Sequence, residues 1–223
     1  MIKIEQTEVY GWEPAIRGMR NPMNSWDKSD SDWEFVEDPS IINPNDEVLF
    51  VLGPNDADLM RRLCKGGPVH AKFRRMIAVY VDITAPLYWW KEFDTYKVGT
   101  TANSCSTMHK IHAKAFTLDD FSHEHLSGGA LTALQSVIVP QLNEDRWEFL
   151  ATKDKQYWHN MIQLLPTSYN QKRTVELNYE VLVGIYRDRK NHKLDEWHEL
   201  CRWIESLPYS WIITGKENED GET

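Results

Sequence analysis

The sequence predicts an α+β chain, on three observations. The opening "MIKIEQTEVY" alternates apolar and polar residues, and "MIAVYVDITAP" sets Ile77, Val79, Val81 and Ile83 against Ala78, Tyr80, Asp82 and Thr84. Helical periodicity then runs through Leu131 to Val139, Trp147 to Leu165 and Leu194 to Ser206. A two-residue period lays one face of a strand on the core, and a period of three to four does the same for a helix.

In chain order, the first segment opens a sheet. Arg20 to Pro44 is rich in Asn, Pro, Ser and Asp and reads as loop, with a short strand at Trp33 to Val36. "NDADLMRRLCKGG" begins with capping residues after Pro54, puts Leu59, Met60, Leu63 and Cys64 on one helical face and stops at Gly66-Gly67. The strand through Ile83 is the clearest in the chain. Pro86 then suits the first turn of a helix, with Leu87, Trp90 and Phe93 at three-residue spacing. Gly99-Thr100-Thr101-Ala102-Asn103 is poor helix material and reads as loop. "KRTVELNYEVLVGIY" mixes strand and helix character. On the last helix Leu194, Trp197, Leu200, Cys201 and Ile204 share a face, and "GKENEDGET" reads as a charged, disordered tail.

Composition narrows the function classes. With 223 residues, 41% of them apolar, the chain buries a full core in one large domain or two small ones. Ten Trp, nine Tyr and seven Phe make that interior aromatic. A net charge of -9 repels phosphate backbones, which argues against extended nucleic-acid binding and leaves room for a single nucleotide in a local basic pocket. Cys64, Cys105 and Cys201 are odd in number and far apart, which predicts a reducing compartment, the cytoplasm, rather than a disulfide framework. No signal-peptide core follows Met1, and no apolar run approaches a membrane span.

Single motifs carry little. His109 and His112, with His123 and His125, lack the spacing of a metal site, and no metal is expected. Cys105 lacks an oriented base and reads as an inert loop cysteine. "LGPND" and "KGGP" read as turns rather than phosphate loops. His70 by itself has no assignable role. Arg187, Asp188, Arg189 and Lys190 form a charged patch of the kind that is usually solvated, although an arginine fork suits a pyrimidine carbonyl or a phosphate. The stretch "KEFDTYKVGTTANSCSTMHK", from Lys91 to Lys110, concentrates hydroxyls, amides and ammonium groups directly after an apolar segment.

Taken together, the order and spacing of these pieces resemble the flavin-dependent thymidylate synthases (ThyX), enzymes that methylate deoxyuridylate using FAD, NADPH and methylenetetrahydrofolate. That family shows a His, a strand, an A-P-x-x-x-x-R-Q-x-x-R-H-R helix and a loop ending N-E-x-S-x-R-Y. Here His70, the strand to Ile83 and "APLYWWKEFDTYKVGTTANSCS" follow in the same order. Further on, "LLPTSYNQKRTVELNYEVLVGIYRDR" is similar to the family's L-P turn, strand, N-A-R-S helix start and downstream Arg. The resemblance covers residues 70–108 and 160–200, with weaker agreement near Arg17.

The resemblance implies a mixed or antiparallel sheet with flanking helices, forming a single domain over 1–214 with a tail at 215–223. It implies a homotetramer with sites between subunits. It also implies a reaction without a protein nucleophile, in which reduced flavin passes a hydride to an exocyclic methylene on the uracil. His70 matches the His on the flavin and folate side, Asn178 the Asn that holds the flavin, and Arg189 the Arg that contacts the uracil; His70 and Arg189 thereby take the catalytic roles. Asn103 and Ser106 match the nucleotide loop once one residue is inserted, and Glu92 stands where a Gln reads the nucleotide. R-H-R is replaced by Thr95-Tyr96-Lys97, so Lys97 alone keeps charge toward cofactor and phosphate; Lys91 and Lys110 supply the remainder. Glu180 stands where N-A-R-S has its Arg, Thr107 or Met108 where the loop has its Arg, and Ile162 or Gln163 where a further Arg is expected. Those departures leave two rivals: an enzyme of this fold acting on another pyrimidine nucleotide or one-carbon group, and a non-catalytic member binding a nucleotide or a partner protein.

Overall fold

The computed structural model describes residues 2–35 and 48–216. Strand β1 (Lys3–Tyr10) leads into helix α1 (Trp12–Arg20), and two short 3-10 turns precede the hairpin of β2 (Asp32–Phe35) and β3 (Val48–Val51). Helix α2 (Pro54–Lys65) and a 3-10 turn (Lys72–Met76) come before β4 (Ala78–Pro86), α3 (Leu87–Phe93) and β5 (Thr101–Ser104). The rest comprises a 3-10 turn (Leu118–Asp120), α4 (Gly128–Ala133), a π-helical turn (Leu134–Ile138), α5 (Val139–Thr152), α6 (Lys155–Leu164), β6 (Asn170–Asn178), α7 (Tyr179–Arg189), α8 (Asp195–Glu205) and α9 (Trp211–Thr214).

The chain divides into two compact units: residues 2–7, 80–176 and 191–200, and residues 8–79, 177–190 and 201–216. Unit one is built on a four-stranded sheet of order β1-β4-β6-β5, and β5 pairs antiparallel to β6 with Asn103 opposite Thr174. The alternation read in β4 is realised: Val79, Val81, Ile83 and Ala85 are buried while Tyr80 faces out. Pro86 ends β4, and α3 turns Trp89, Trp90 and Phe93 inward, so the buried face is Trp89-Trp90-Phe93 rather than Leu87-Trp90-Phe93. Trp197 of α8 lies 4.7 Å from the Trp89 ring. A second cluster of Ile111, Phe116, Phe121, Leu134, Leu142 and Met161 fills the helical part of this unit.

Two further readings require correction. Gly99 to Asn103 is not wholly loop: Thr101–Ser104 form the edge strand β5, whose four side chains are all exposed and whose order comes from pairing with β6. Trp147 to Leu165 is not one helix either. Lys153 adopts a left-handed φ of 62°, and the Asp154 carboxylate accepts from Gln156 N, ending α5 and starting α6 within two residues. The ambiguous "KRTVELNYEVLVGIY" resolves at Asn178, the last residue of β6 and the N-cap of α7.

Unit two gathers Trp12, Phe50, Tyr179 and Tyr209. Trp12 stacks on Phe50 at 5.7 Å and meets Tyr179 and Tyr209 edge-on at 5.5 and 5.2 Å. The tyrosine hydroxyls are satisfied, Tyr179 donating to Pro208 O at 2.5 Å and Tyr209 to Phe50 O at 3.0 Å. Gly11, at φ 97°, precedes α1; a Cβ there would sit 2.0 Å from Met76 O, so no other residue fits. The predicted helix at 55–67 is α2. Its first amides are capped from a distance, Asn55 N and Asp56 N donating to the Asp30 carboxylate at 2.9 and 3.1 Å. The short strand expected at Trp33 to Val36 appears as β2, except that Val36 lies outside the described residues. The same holds for 217–223 of the expected tail and 36–44 of the expected loop.

Candidate functional site

The hydroxyl-rich stretch is anchored at both ends in unit one. At its start, Thr95 Oγ1 donates to Glu92 O at 2.7 Å, closing the end of α3, and the Tyr96 ring packs 6.4 Å from Phe93 and 6.2 Å from Trp197. Glu92 is bound from the α8 side: Trp197 Nε1 donates to its Oε2 at 3.1 Å, and His192 Nε2 lies 3.3 Å from the same oxygen. Beyond β5, Cys105 N donates to Lys172 O at 2.9 Å and Gln171 Nε2 to Cys105 O at 2.8 Å. The turn that follows is shaped by Ser106, whose Oγ accepts from Met108 N at 3.1 Å and His109 N at 2.9 Å.

A cavity of about 300 Å³ opens behind this turn, lined by Cys105, Ser106, Lys110, Ile111, Lys114, Phe116 and Tyr169. Lys114 is paired with Asp120, while the exposed ammonium groups of Lys91, Lys97 and Lys110 have no carboxylate partner among the described residues. Burial, and secondarily the Asp120 charge, push the Tyr169 phenol up, so it stays protonated and able to donate. Arg173 lies on the neighbouring strand but is committed elsewhere. It binds Asp94 at 2.7 Å and Gln171 Oε1 at 3.0 Å, with its guanidinium 4.2 Å over the Trp90 ring.

Of the residues chosen from sequence, Glu92, Lys97, Asn103 and Ser106 fall in unit one, and His70, Asn178 and Arg189 in unit two. Lys97 and Asn103 are exposed; Glu92 and Ser106 are half-buried. His70 is exposed against Gly66 at the end of α2, Arg189 is half-buried in the last turn of α7, and the Asn178 side chain accepts from Val181 N at 3.1 Å. Asn178 therefore has a structural duty as well. Asn178→Ala is expected to cost about 1 kcal/mol of stability through the lost cap, while Asn178→Asp keeps it. Thermal unfolding beside flavin retention separates the duties, because unchanged stability with lost flavin in the Asp variant assigns Asn178 to the cofactor.

Tyr169 and Lys114 were not singled out from sequence. Tyr169 stands in the "LPTSY" turn, and only long-range packing brings it to Ser106 and Phe116. Of the histidines, His125 Nε2 lies 3.0 Å from Asp195 and His123 Nδ1 2.8 Å from Phe121 O. No group of three or more His, Cys, Asp or Glu suited to a metal occurs among the described residues. Nor is any described helix long and apolar enough to cross a membrane.

Comparison with solved structures places the fold. Thymidylate synthase X of Helicobacter pylori, with FAD and dUMP, matches with a TM-score of 0.65 at 14% identity, over 96% of this chain and 97% of that one. The chain shares its fold with the flavin-dependent thymidylate synthases. A second structure of the Helicobacter pylori flavin-dependent enzyme, complexed with FAD and dUMP, matches at 0.63 and 14% identity over 95% and 97% of the two chains. The UMP/dUMP methylase PolB of Streptomyces cacaoi, bound with 5-Br dUMP, matches at 0.59 and 11% identity over 94% and 92%. No protein-family model matches the sequence, and no curated protein matches it significantly. The fold is thus shared over nearly the whole of both chains at low sequence identity.

Proposed function

We propose that the chain is a divergent flavin-dependent methylase of uridylate, converting dUMP to dTMP with methylenetetrahydrofolate as carbon donor and NADPH as reductant, in the cytoplasm and as a homotetramer. One observation carries this reading: a fold shared over nearly the whole of both chains with structures that hold FAD and dUMP or 5-Br dUMP. The polar turn after β5 supports it, with Ser106 and the Lys110 ammonium group, unpaired among the described residues, lining a cavity.

In this reading Arg189 polarises the uracil carbonyl, Glu92 faces the base, and Asn103 and Ser106 hold the nucleotide phosphate. The donor chemistry fits an anionic, planar cofactor: an exposed ammonium at Lys97, an exposed amide at Asn103, an imidazole at His70 and the amide NH2 of Asn178. FAD, when bound, supplies the hydride. The protein supplies orientation and charge, and no side-chain nucleophile is required.

Loss of R-H-R favours a second reading. Thr95 and Tyr96 are spent on internal contacts, which leaves Lys97 as a point charge where a bidentate guanidinium would grip a phosphate. On that ground the same fold acts on another pyrimidine nucleotide or one-carbon group, or binds a nucleotide or a partner protein without turnover. An absorption spectrum taken after FAD and dUMP are added and unbound ligand is removed decides between them. A retained flavin band, followed by dTMP formation from methylenetetrahydrofolate, is the expected result. Protein that stays colourless with every pyrimidine nucleotide removes the flavin assignment and leaves the binding reading.

A further inference from the structure

We infer that the cavity behind the Ser106 turn is the phosphate pocket of the nucleotide site, in which Lys110, Ser106 and Tyr169 hold the phosphomonoester of uridylate. This rests on the reading that the chain binds uridylate, and it adds a pocket and a donor, Tyr169, that the family resemblance does not supply.

The polar side chains around the cavity are donors, and none is a carboxylate. Both backbone amides of the turn point at Ser106 Oγ, at 3.1 and 2.9 Å, so its lone pairs are taken and its proton is left for a ligand. The Tyr169 hydroxyl has no protein partner among the described residues, and burial holds its proton in place. Lys110 has no carboxylate partner among the described residues, whereas Lys114 is neutralised by Asp120 and completes the wall. In a chain of net charge -9, a concave surface lined by two hydroxyl donors and by an ammonium group unpaired among the described residues, with the adjacent Asp120 spent on Lys114, is suited to an anion.

The remaining wall is apolar. Ile111 and Phe116 are buried and belong to the second hydrophobic cluster, so they suit the sugar side of a nucleotide and keep water from competing for the donors. At about 300 Å³ the cavity is small for a whole nucleotide and ample for a phosphate with part of its sugar. The turn is also held rigidly, since Cys105 is bonded through both its N–H and its carbonyl to the β6 side and Gln171 is itself buried. Lys110 stands two or three residues beyond Met108 or Thr107, where the family resemblance places the loop Arg, and restores the cation from a different backbone position.

Cys105 lines the same cavity and is exposed, while Cys64 is half-buried and Cys201 buried, so the protein carries its own reporter. The test is the rate of Cys105 alkylation by iodoacetamide in the full chain, read by mass spectrometry, beside calorimetric dUMP binding. Saturating dUMP is expected to slow alkylation at least fivefold. Inorganic phosphate should do so at higher concentration, and deoxyuridine should not. Lys110→Met, at an exposed position, should weaken dUMP binding by about ten- to a hundredfold, the range of one charge-assisted contact. If dUMP binds while the Cys105 rate or the Lys110→Met affinity is unchanged, the pocket assignment is overturned and the uridylate reading stands. If wild-type protein binds no dUMP, both fall. Protection by deoxyuridine equal to that by dUMP overturns the phosphate assignment.

Discussion

Asp56→Ala is expected to lower the unfolding free energy by about 3–5 kcal/mol, the usual effect of removing one partner from a buried ion pair. Asp56 is 0% and Arg20 4% exposed, and Arg20 Nε donates to Asp56 Oδ1 at 2.6 Å. The other carboxylate oxygen accepts from Ser29 Oγ and Ser31 Oγ, each at 2.8 Å, and from Asp30 N and Ser31 N at 3.1 and 3.2 Å. Arg20 in turn donates to Ser25 O and Lys28 O at 3.1 and 2.9 Å. One pair thus ties the segment Ser25–Ser31 to α1 and α2. Removing the carboxylate strands a buried guanidinium and two hydroxyls together. Exchanging both partners for apolar residues should cost less than either single change, because no charge is then left behind.

The same carboxylate makes stability depend on acid. Burial works to raise its pKa, but hydrogen bonds from Ser31, Ser29, Arg20 and the Asp30 backbone prevail and hold it below the usual carboxylate value. A depressed folded pKa gives stability that is fully present above the unfolded value, about 3.9, and is lost as pH falls through the folded one. The gap between wild type and Asp56→Ala in denaturant unfolding should therefore be constant near neutrality and shrink below about pH 4. A gap under 1 kcal/mol at pH 7, or one that widens in acid, would show that the network carries little of the stability.

How much of this was legible follows from which interactions are local. Strand β4 could be read because Val79, Val81 and Ile83 are buried by the alternation of a single segment. Strand β5 could not, since its four exposed side chains carry no pattern and its order comes from backbone pairing with β6, about seventy residues away. The break at Lys153 was hidden because apolar periodicity continues on both sides, although Asp154 followed by Gln156 is a legible N-cap once sought. Ser106 and Asn103 were singled out through chain order around a recognisable helix. Tyr169 and the Arg20–Asp56 pair were not, because their partners lie far off in sequence and nothing local distinguishes a buried Arg from an exposed one.

Trp197→Ala is expected to destabilise the protein by about 3–5 kcal/mol, as loss of a fully buried indole does. The ring is 0% exposed and packs against Trp89 at 4.7 Å, Phe93 at 6.5 Å and Tyr96 at 6.2 Å, so truncation leaves a cavity under α3 that flat aromatic neighbours cannot fill without leaving their rotamers. Trp197→Phe isolates a different quantity. It keeps most of the packing and removes the N–H that holds Glu92 Oε2 at 3.1 Å, which should cost about 1–3 kcal/mol. Under the uridylate reading this milder change also reaches the ligand, because Glu92 then loses its bond from the indole and keeps the contact to His192. Its dUMP affinity should fall below that of the wild type at a temperature where both are folded, and Glu92→Gln, which keeps an acceptor for the indole, should leave stability within about 1 kcal/mol. A destabilised Trp197→Phe with wild-type dUMP affinity would confine Glu92 to the packing of α3 on α8. The base would then have to be read by groups on other elements, and the acid at the position where the family has a glutamine would be a structural replacement rather than a change of specificity.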